Sequence, residues 1–218
     1  MTTVVAISDT HRSHARLTIP PGDVLVHTGD LDAHRLEDLR EFDRWLAGLP
    51  HPHKLVIAGN HDAIFVREPE AARAALTHAT YLQDEACEVA GLRVYGSPWQ
   101  PVFCNMAFNL PRGPSLQAVW ARIPADTDVL LTHGPPAGIL DRTFIGQRVG
   151  CADLLARIEQ VAPALHVFGH IHEAAGHLRQ GPTTFVNAAT GFRCRRGPTV
   201  IELERGVATV RGVGDPPG

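Results

Sequence analysis

Five short blocks of this sequence gather the residue types that bind divalent cations: Ser8-Asp9-Thr10-His11, Gly29-Asp30, Gly59-Asn60-His61-Asp62, Thr132-His133-Gly134 and Gly169-His170-Ile171-His172. Two side chains one residue apart, as in Asp9-x-His11, can converge on a single ion. One such pair means little in a chain with 13 histidines, so the set carries the argument. Every donor is oxygen or nitrogen and none is thiolate, which suits Mn, Fe, Zn, Co or Mg rather than a site built for soft metals. A divalent ion so held is a Lewis acid and can acidify a bound water into a nucleophile at neutral pH.

The blocks must be brought together by the fold, and the residues before them show how. Val4–Ile7, Val24–Val26, Leu55–Ala58, Val129–Leu131 and Leu165–Phe168 are short apolar runs that read as buried strands. Each delivers its polar block at its end, so ligands far apart in sequence meet at one edge of a sheet. Between them, Leu36, Leu39, Phe42, Leu46 and Leu49 keep one helix face until Pro50, and Leu116, Val119, Trp120 and Ile123 keep another, with Ser115 placed to cap and Pro124 to stop. Cys151, Leu154, Leu155, Ile158 and Val161 predict a third helix, and Glu70–His78 after Pro69 a short fourth. Residues 82–102 and 177 onward read as strands and turns, with hairpins at Val89–Tyr95 and at Thr199–Leu203 with Val207–Val210. The alternation predicts an α/β fold with a mixed sheet or two.

The chain has 218 residues, 44% hydrophobic and 20% charged, which predicts a single domain over 1–218 with a sizeable core and a frayed tail at Gly214–Gly218. Twenty basic against 23 acidic residues leave a net charge of −3, so broad nucleic-acid binding is not expected. No run approaches the roughly 20 apolar residues that span a bilayer, so neither a signal peptide nor an anchor nor a membrane partner is expected. Cys87, Cys104, Cys151 and Cys194 are widely spaced and read as reduced thiols of a cytoplasmic protein.

Taken in order, the five blocks resemble the signature of the calcineurin-like metallophosphoesterase superfamily. Gly96-Ser97-Pro98-Trp99-Gln100-Pro101, Phe108-Asn109-Leu110-Pro111-Arg112-Gly113, Thr132-His133-Gly134-Pro135-Pro136 and Val167-Phe168-Gly169-His170-Ile171-His172-Glu173 resemble its metallophosphoesterase-domain-containing branch, which is similar to class III cyclic nucleotide phosphodiesterases. The resemblance covers Val4 to Ala189. It implies a four-layer αββα sandwich of two mixed sheets. It also implies two divalent ions, Mn first, with Fe, Zn, Co and Mg as alternatives. Asp30 would bridge them, Asp9, His11 and His172 completing one shell and Asn60, His133 and His170 the other. A hydroxide bridging the ions would attack phosphorus in line. In the catalytic block of Asn60, His61 and Asp62, the resemblance sets His61 beside the leaving oxygen and Asp62 behind it to orient the imidazole.

The implied activity is hydrolysis of a small phosphodiester, with cyclic nucleotides and above all 2′,3′-cyclic nucleotides as substrates. A phosphomonoesterase or protein phosphatase with the same ions is the alternative, and a non-catalytic scaffold of the same fold comes third because every ligand is retained. His14, Arg142, Arg148, Phe108 and Asn109 are the expected substrate contacts, with Trp99 and Phe103 weighed beside them as cleft walls. The remaining histidines divide into His27 and His166 within strands and His34, His51, His53, His78 and His177 on loops or the surface. Asp32 stands where many members carry a small hydroxyl residue, and reads either as support for a ligand or as a helix cap. Arg193, Arg195 and Arg196 cluster in a turn and, with Gln147, are weighed as substrate groups against solvated charge. The oligomeric state is left open.

Overall fold

The computed structural model describes residues 1–214, apart from the Phe192 side chain, so most of the expected frayed tail lies outside the described residues. In chain order the elements are β1 (Thr2–Ile7), β2 (Val24–Thr28), α1 (Leu36–Ala47), β3 (His53–Ile57), α2 (Ile64–Arg67), α3 (Pro69–Ala75), β4 (Thr80–Tyr81), β5 (Glu85–Val89), β6 (Leu92–Ser97), β7 (Gln100–Pro101) and β8 (Asn109–Leu110). They continue with α4 (Pro114–Trp120), β9 (Val129–Thr132), α5 (Ala152–Val161), β10 (Leu165–Phe168), β11 (Gly176–Gln180), β12 (Thr183–Asn187), β13 (Thr199–Glu204) and β14 (Val207–Val213). One six-stranded sheet runs β14-β13-β1-β2-β3-β4 and the other β11-β12-β10-β9-β6-β5. Both are mixed: β1, β2 and β3 are parallel with β13 antiparallel to β1, and β6, β9, β10 and β12 are parallel with β5 and β11 antiparallel at the edges.

Strand alternation builds three cores, and three cores make four layers. Val4, Ala6, Val24, Val26, Leu55 and Ile57 face Val129, Leu131, Leu165 and Val167 between the sheets. Val5, Ile7, Leu25 and Val56 point the other way, under Leu39, Phe42 and Leu46 of α1 and Ala72 of α3. Leu130 and Phe168 are buried under Leu116 and Trp120 of α4 and Leu154 and Ile158 of α5. The αββα arrangement expected from the resemblance is therefore present.

Local differences from expectation have identifiable causes. Pro114 occupies the first position of α4, so the cap falls to Gly113 and not to Ser115. Cys151 precedes α5 and caps it, its Sγ accepting from Leu154 N at 3.4 Å. The helix expected at Glu70–His78 stops at Ala75, because Asp43 draws the Thr77 and His78 amides, both at 2.8 Å. His51, expected on a loop or the surface, is buried, with its Nε2 against Pro20 O at 2.9 Å.

His27 and His166 lie in the strands as expected, paired with Thr10 Oγ1 at 3.0 Å and Thr132 Oγ1 at 2.8 Å. Burial drives both down to about 3. The unfolded chain, with imidazoles near 6.5, then takes up protons that the folded chain refuses. The stability from keeping them neutral is present above pH 6.5 and is lost as pH falls toward 3, at about 1.4 kcal/mol per pH unit for each ring. Urea midpoints of the wild type should fall from pH 7 to pH 5, and His166→Gln should show a shallower fall. Parallel profiles would remove His166 from this account.

Candidate metal centre

All five blocks sit at the carboxyl ends of parallel strands. Asp9 and His11 follow β1, Asp30 follows β2, Asn60 and His61 follow β3, His133 follows β9, and His170 and His172 follow β10. The chain turns sharply after β1, β2 and β10: Asp9 (φ 56), His11 (φ 41), Asp30 (φ 58) and His170 (φ 67) all occupy the left-handed region, which non-glycine residues rarely enter. Asp9 N donating to Gly29 O at 2.9 Å, His11 N to Asp30 O at 3.1 Å and Gly169 N to His133 O at 2.9 Å hold them there. Two glycines leave room for the carboxylates. A Cβ on Gly59 would overlap Asp30 Oδ1, and one on Gly169 would overlap Asp9 Oδ2 and Ser8 Oγ.

Among the described residues three groups have donor atoms within 4.8 Å of one another: one is His11 with Asp32 and His61, and the two built from expected ligands are Asp9 with His11 and His172, and Asp30 with His133 and His170. Asp30 faces both, with Oδ1 3.3 Å from His133 Nε2 and Oδ2 3.7 Å from His11 Nε2. Asn60 belongs to the second group. Its Oδ1 is 2.9 Å from His133 Nε2 while its Nδ2 donates outward to Met106 Sδ at 3.1 Å, so the amide oxygen is turned inward. His133 Nδ1 donates to Thr28 O at 2.8 Å, which leaves Nε2 as the donor atom toward Asp30. Asp9 accepts the His170 amide at 3.0 Å and meets His172 Nε2 at 3.2 Å.

The electrostatics call for positive charge. Asp9 and Asp30 are buried close enough to repel each other. Burial alone would raise their pKa values, yet His172 and His133 hold Asp9 low and His133 and His61 hold Asp30 low. His133 shows the reverse: burial opposes its protonation, but Asp30 raises it to about 9. His170, buried beside His133, is pushed down to about 4 and stays a neutral donor. Two buried carboxylates, one amide oxygen and imidazoles of which His133 holds a proton that a bound ion would displace form a donor set that fits divalent cations. This chain carries the groups to hold such cations.

The remaining predicted residues are placed less uniformly. His61 flanks the first group, its ring 4.9 Å from that of His11 and its side chain 37% exposed. Asp62 was expected behind His61, but its Oδ2 accepts Gly59 N at 2.8 Å and Leu31 N at 3.2 Å and its Oδ1 accepts Ala33 N at 3.0 Å. The carboxylate that meets the His61 ring is Asp32, at 3.4 Å. His14 turns away from the site and packs between Phe42 and Trp45, at 5.1 and 4.9 Å, with burial lowering it to about 4. Phe108 is buried against Trp99, and Asn109 is occupied in holding Phe103 O and Cys104 O at 2.8 and 3.2 Å. From that stretch it is Phe103 that reaches the site, its ring 5.8 Å from His170. Arg142 lines a cavity of about 490 Å³ with Phe144 and Glu173, next to His172, whereas the Arg148 guanidinium is bound to Asp141 at 2.9 Å and Gly138 O at 3.1 Å. Met106, which orients Asn60, carried no signal in the sequence.

A family model described as calcineurin-like phosphoesterase matches residues 2–174. Metallophosphoesterase domain-containing protein 1 of Homo sapiens is 42% identical over 231 residues, covering 93% of this chain and 71% of that protein. One solved structure superposes with a TM-score of 0.72 at 19% identity, over 98% of this chain and 99% of its own. Another, described as a novel archaeal phosphodiesterase, does so with a TM-score of 0.50 at 13% identity, over 97% and 99%.

Proposed function

Because the chain belongs to the calcineurin-like phosphoesterase family and is a phosphoesterase hydrolase, we propose that it is a two-metal phosphodiesterase acting on small diesters. Cyclic nucleotides, 2′,3′-cyclic ones foremost, are its substrate class. The observation that carries the two-ion reading is the direction of Asp30, one oxygen toward His133 and the other toward His11. Asp9, His11 and His172 would hold one ion and Asn60, His133 and His170 the other, with Asp30 available to both. Divalent ions, Mn first with Fe, Zn, Co or Mg as alternatives, supply positive charge for the phosphoryl oxygens and acidify a water.

The residues do the rest. The buried His133 and Asn60 fix the inner wall, while the partly exposed His11, His61 and His172 leave the outer side open to substrate. His61 Nε2, 4.0 Å from Asp30 Oδ2, is on that open side and donates a proton to the departing ester oxygen. Arg142, which lines the cavity shared with Glu173, is the residue to meet a second phosphoester group. The archaeal phosphodiesterase neighbour supports the diester reading. Among the described residues no helix is long and apolar enough to cross a membrane. The four widely spaced cysteines are free thiols, the usual state in a reducing compartment, and on that ground the cytoplasm is the proposed location.

Turnover of bis(p-nitrophenyl) phosphate and of p-nitrophenyl phosphate by the Mn-loaded protein tests the diester reading. The diester should be the better substrate by about tenfold in kcat/KM, the loss expected when one oriented contact is missing. A preference for the monoester would replace the diesterase with a phosphomonoesterase.

A further inference from the structure

We propose that Asp32 is the positioning residue of His61, and that the neighbouring Asp62 acts one step behind by holding the loop that carries Asp32. The proposal rests on the reading of this site as a diesterase centre with His61 at the leaving oxygen. His61 is fixed at its backbone, where its amide donates to Asp30 Oδ1 at 2.9 Å. Its ring is flanked on two sides, with Nδ1 3.4 Å from Asp32 Oδ1 and Nε2 4.0 Å from Asp30 Oδ2. Asp32 Oδ1 also meets His34 Nε2 at 3.2 Å, so this oxygen has an imidazole on either side.

Asp62 cannot take that place, because its two oxygens are bound to the amides of Gly59, Leu31 and Ala33. Two of these amides flank Asp32. They stabilise a loop in which Asp32 adopts φ 67, a conformation that sends its side chain toward His61. His11, Asp32 and His61 also lie within ligand distance of one another. The His11 Nε2, however, is directed at Asp30 (3.7 Å), so within this trio it is Asp32 and His61 that pair, with Asp32 Oδ1 shared between His61 and His34. At 3.4 Å the pair is loose, and such contacts shorten when substrate seats beside the ring.

The chemistry follows from the ring's two nitrogens. With Nδ1–H held by Asp32, Nε2–H points at the ester oxygen. As the P–O bond breaks, its electron pair passes to that oxygen, which takes the Nε2 proton. Neutral imidazole remains, with Nδ1–H still on Asp32.

The test uses the Mn-loaded protein, Asp32→Asn, His61→Asn and the double variant on methyl p-nitrophenyl phosphate and methyl phenyl phosphate. Phenolate depends on a proton far more than p-nitrophenolate does. Asp32→Asn should keep KM while lowering kcat about threefold on the p-nitrophenyl ester and about thirtyfold or more on the phenyl ester, a share of what general acids contribute. It should add nothing in the His61→Asn background. Equal losses on both esters, or multiplicative losses in the double variant, would overturn the proposal. A second readout needs no turnover: in protein loaded with diamagnetic Zn or Mg in place of Mn, the ring ¹⁵N signals of His61 should move in Asp32→Asn, and unchanged signals overturn the contact. If wild-type protein cleaves neither diester, the diesterase reading falls and the spectrum alone decides on Asp32.

Discussion

Asp30→Ala is expected to lower diester turnover by about 10³-fold or more, since loss of a single oriented donor already costs about 10²–10³-fold. Asp30 is the one carboxylate that faces both ligand groups, at 3.3 Å from His133 and 3.7 Å from His11. Its removal unties the two halves. It also leaves His133 and His11 without their shared counter-charge and takes the acceptor from the His61 amide. The loss should therefore appear in metal binding as well as in rate, with at least one ion lost and the other weakened. Asn60→Ala, which touches only the second group, should cost less. Equal losses would mean that Asp30 is an ordinary ligand and not the bridge.

Gly169→Ala should do nearly as much damage with one methyl group. A Cβ there would overlap Asp9 Oδ2 and Ser8 Oγ, and both residues are wholly buried. Overpacking of this kind costs about 1–3 kcal/mol. The cheapest relief is for the Asp9 carboxylate to swing away from the His170 amide and His172. Affinity of the Asp9 group for its ion should fall about 10–100-fold, the range seen when ligand orientation is lost. Gly212→Ala is the control, because nothing lies within 4 Å of its Cβ. A Gly169→Ala protein with wild-type metal affinity would show that the loop yields and Asp9 does not depend on it.

The layers of this fold were legible because burial writes alternation into the sequence. Val4 and Ala6 face one core while Val5 and Ile7 face another, and the apolar runs ended where the polar blocks began. The convergence of the candidate ligands was legible because these residues are rare in combination and each stands at a strand end. The directions of individual side chains were not. The resemblance makes Asp62 the partner of His61, yet the left-handed turn at Asp32 brings that carboxylate to the ring instead, and nothing in Leu31-Asp32-Ala33 announces a positive φ. His14 sits close in sequence to His11 and far from it in function, because Phe42 and Trp45, a helix away, supply an apolar pocket. In the stretch from Trp99 to Asn109 the sequence offered several aromatic residues, and only packing separates the buried Phe108 from the exposed Phe103. The two-residue strands β7 and β8 are too short to carry a periodic signal.

The central claim is that one site holds two ions and that both are needed. Titration of the metal-stripped protein with Mn, followed by calorimetry and by turnover of bis(p-nitrophenyl) phosphate in the same samples, tests it most directly. The account predicts two ions per chain, with turnover rising as the second is bound. A single ion sufficient for full activity, or two ions with no turnover of any phosphoester, would contradict it.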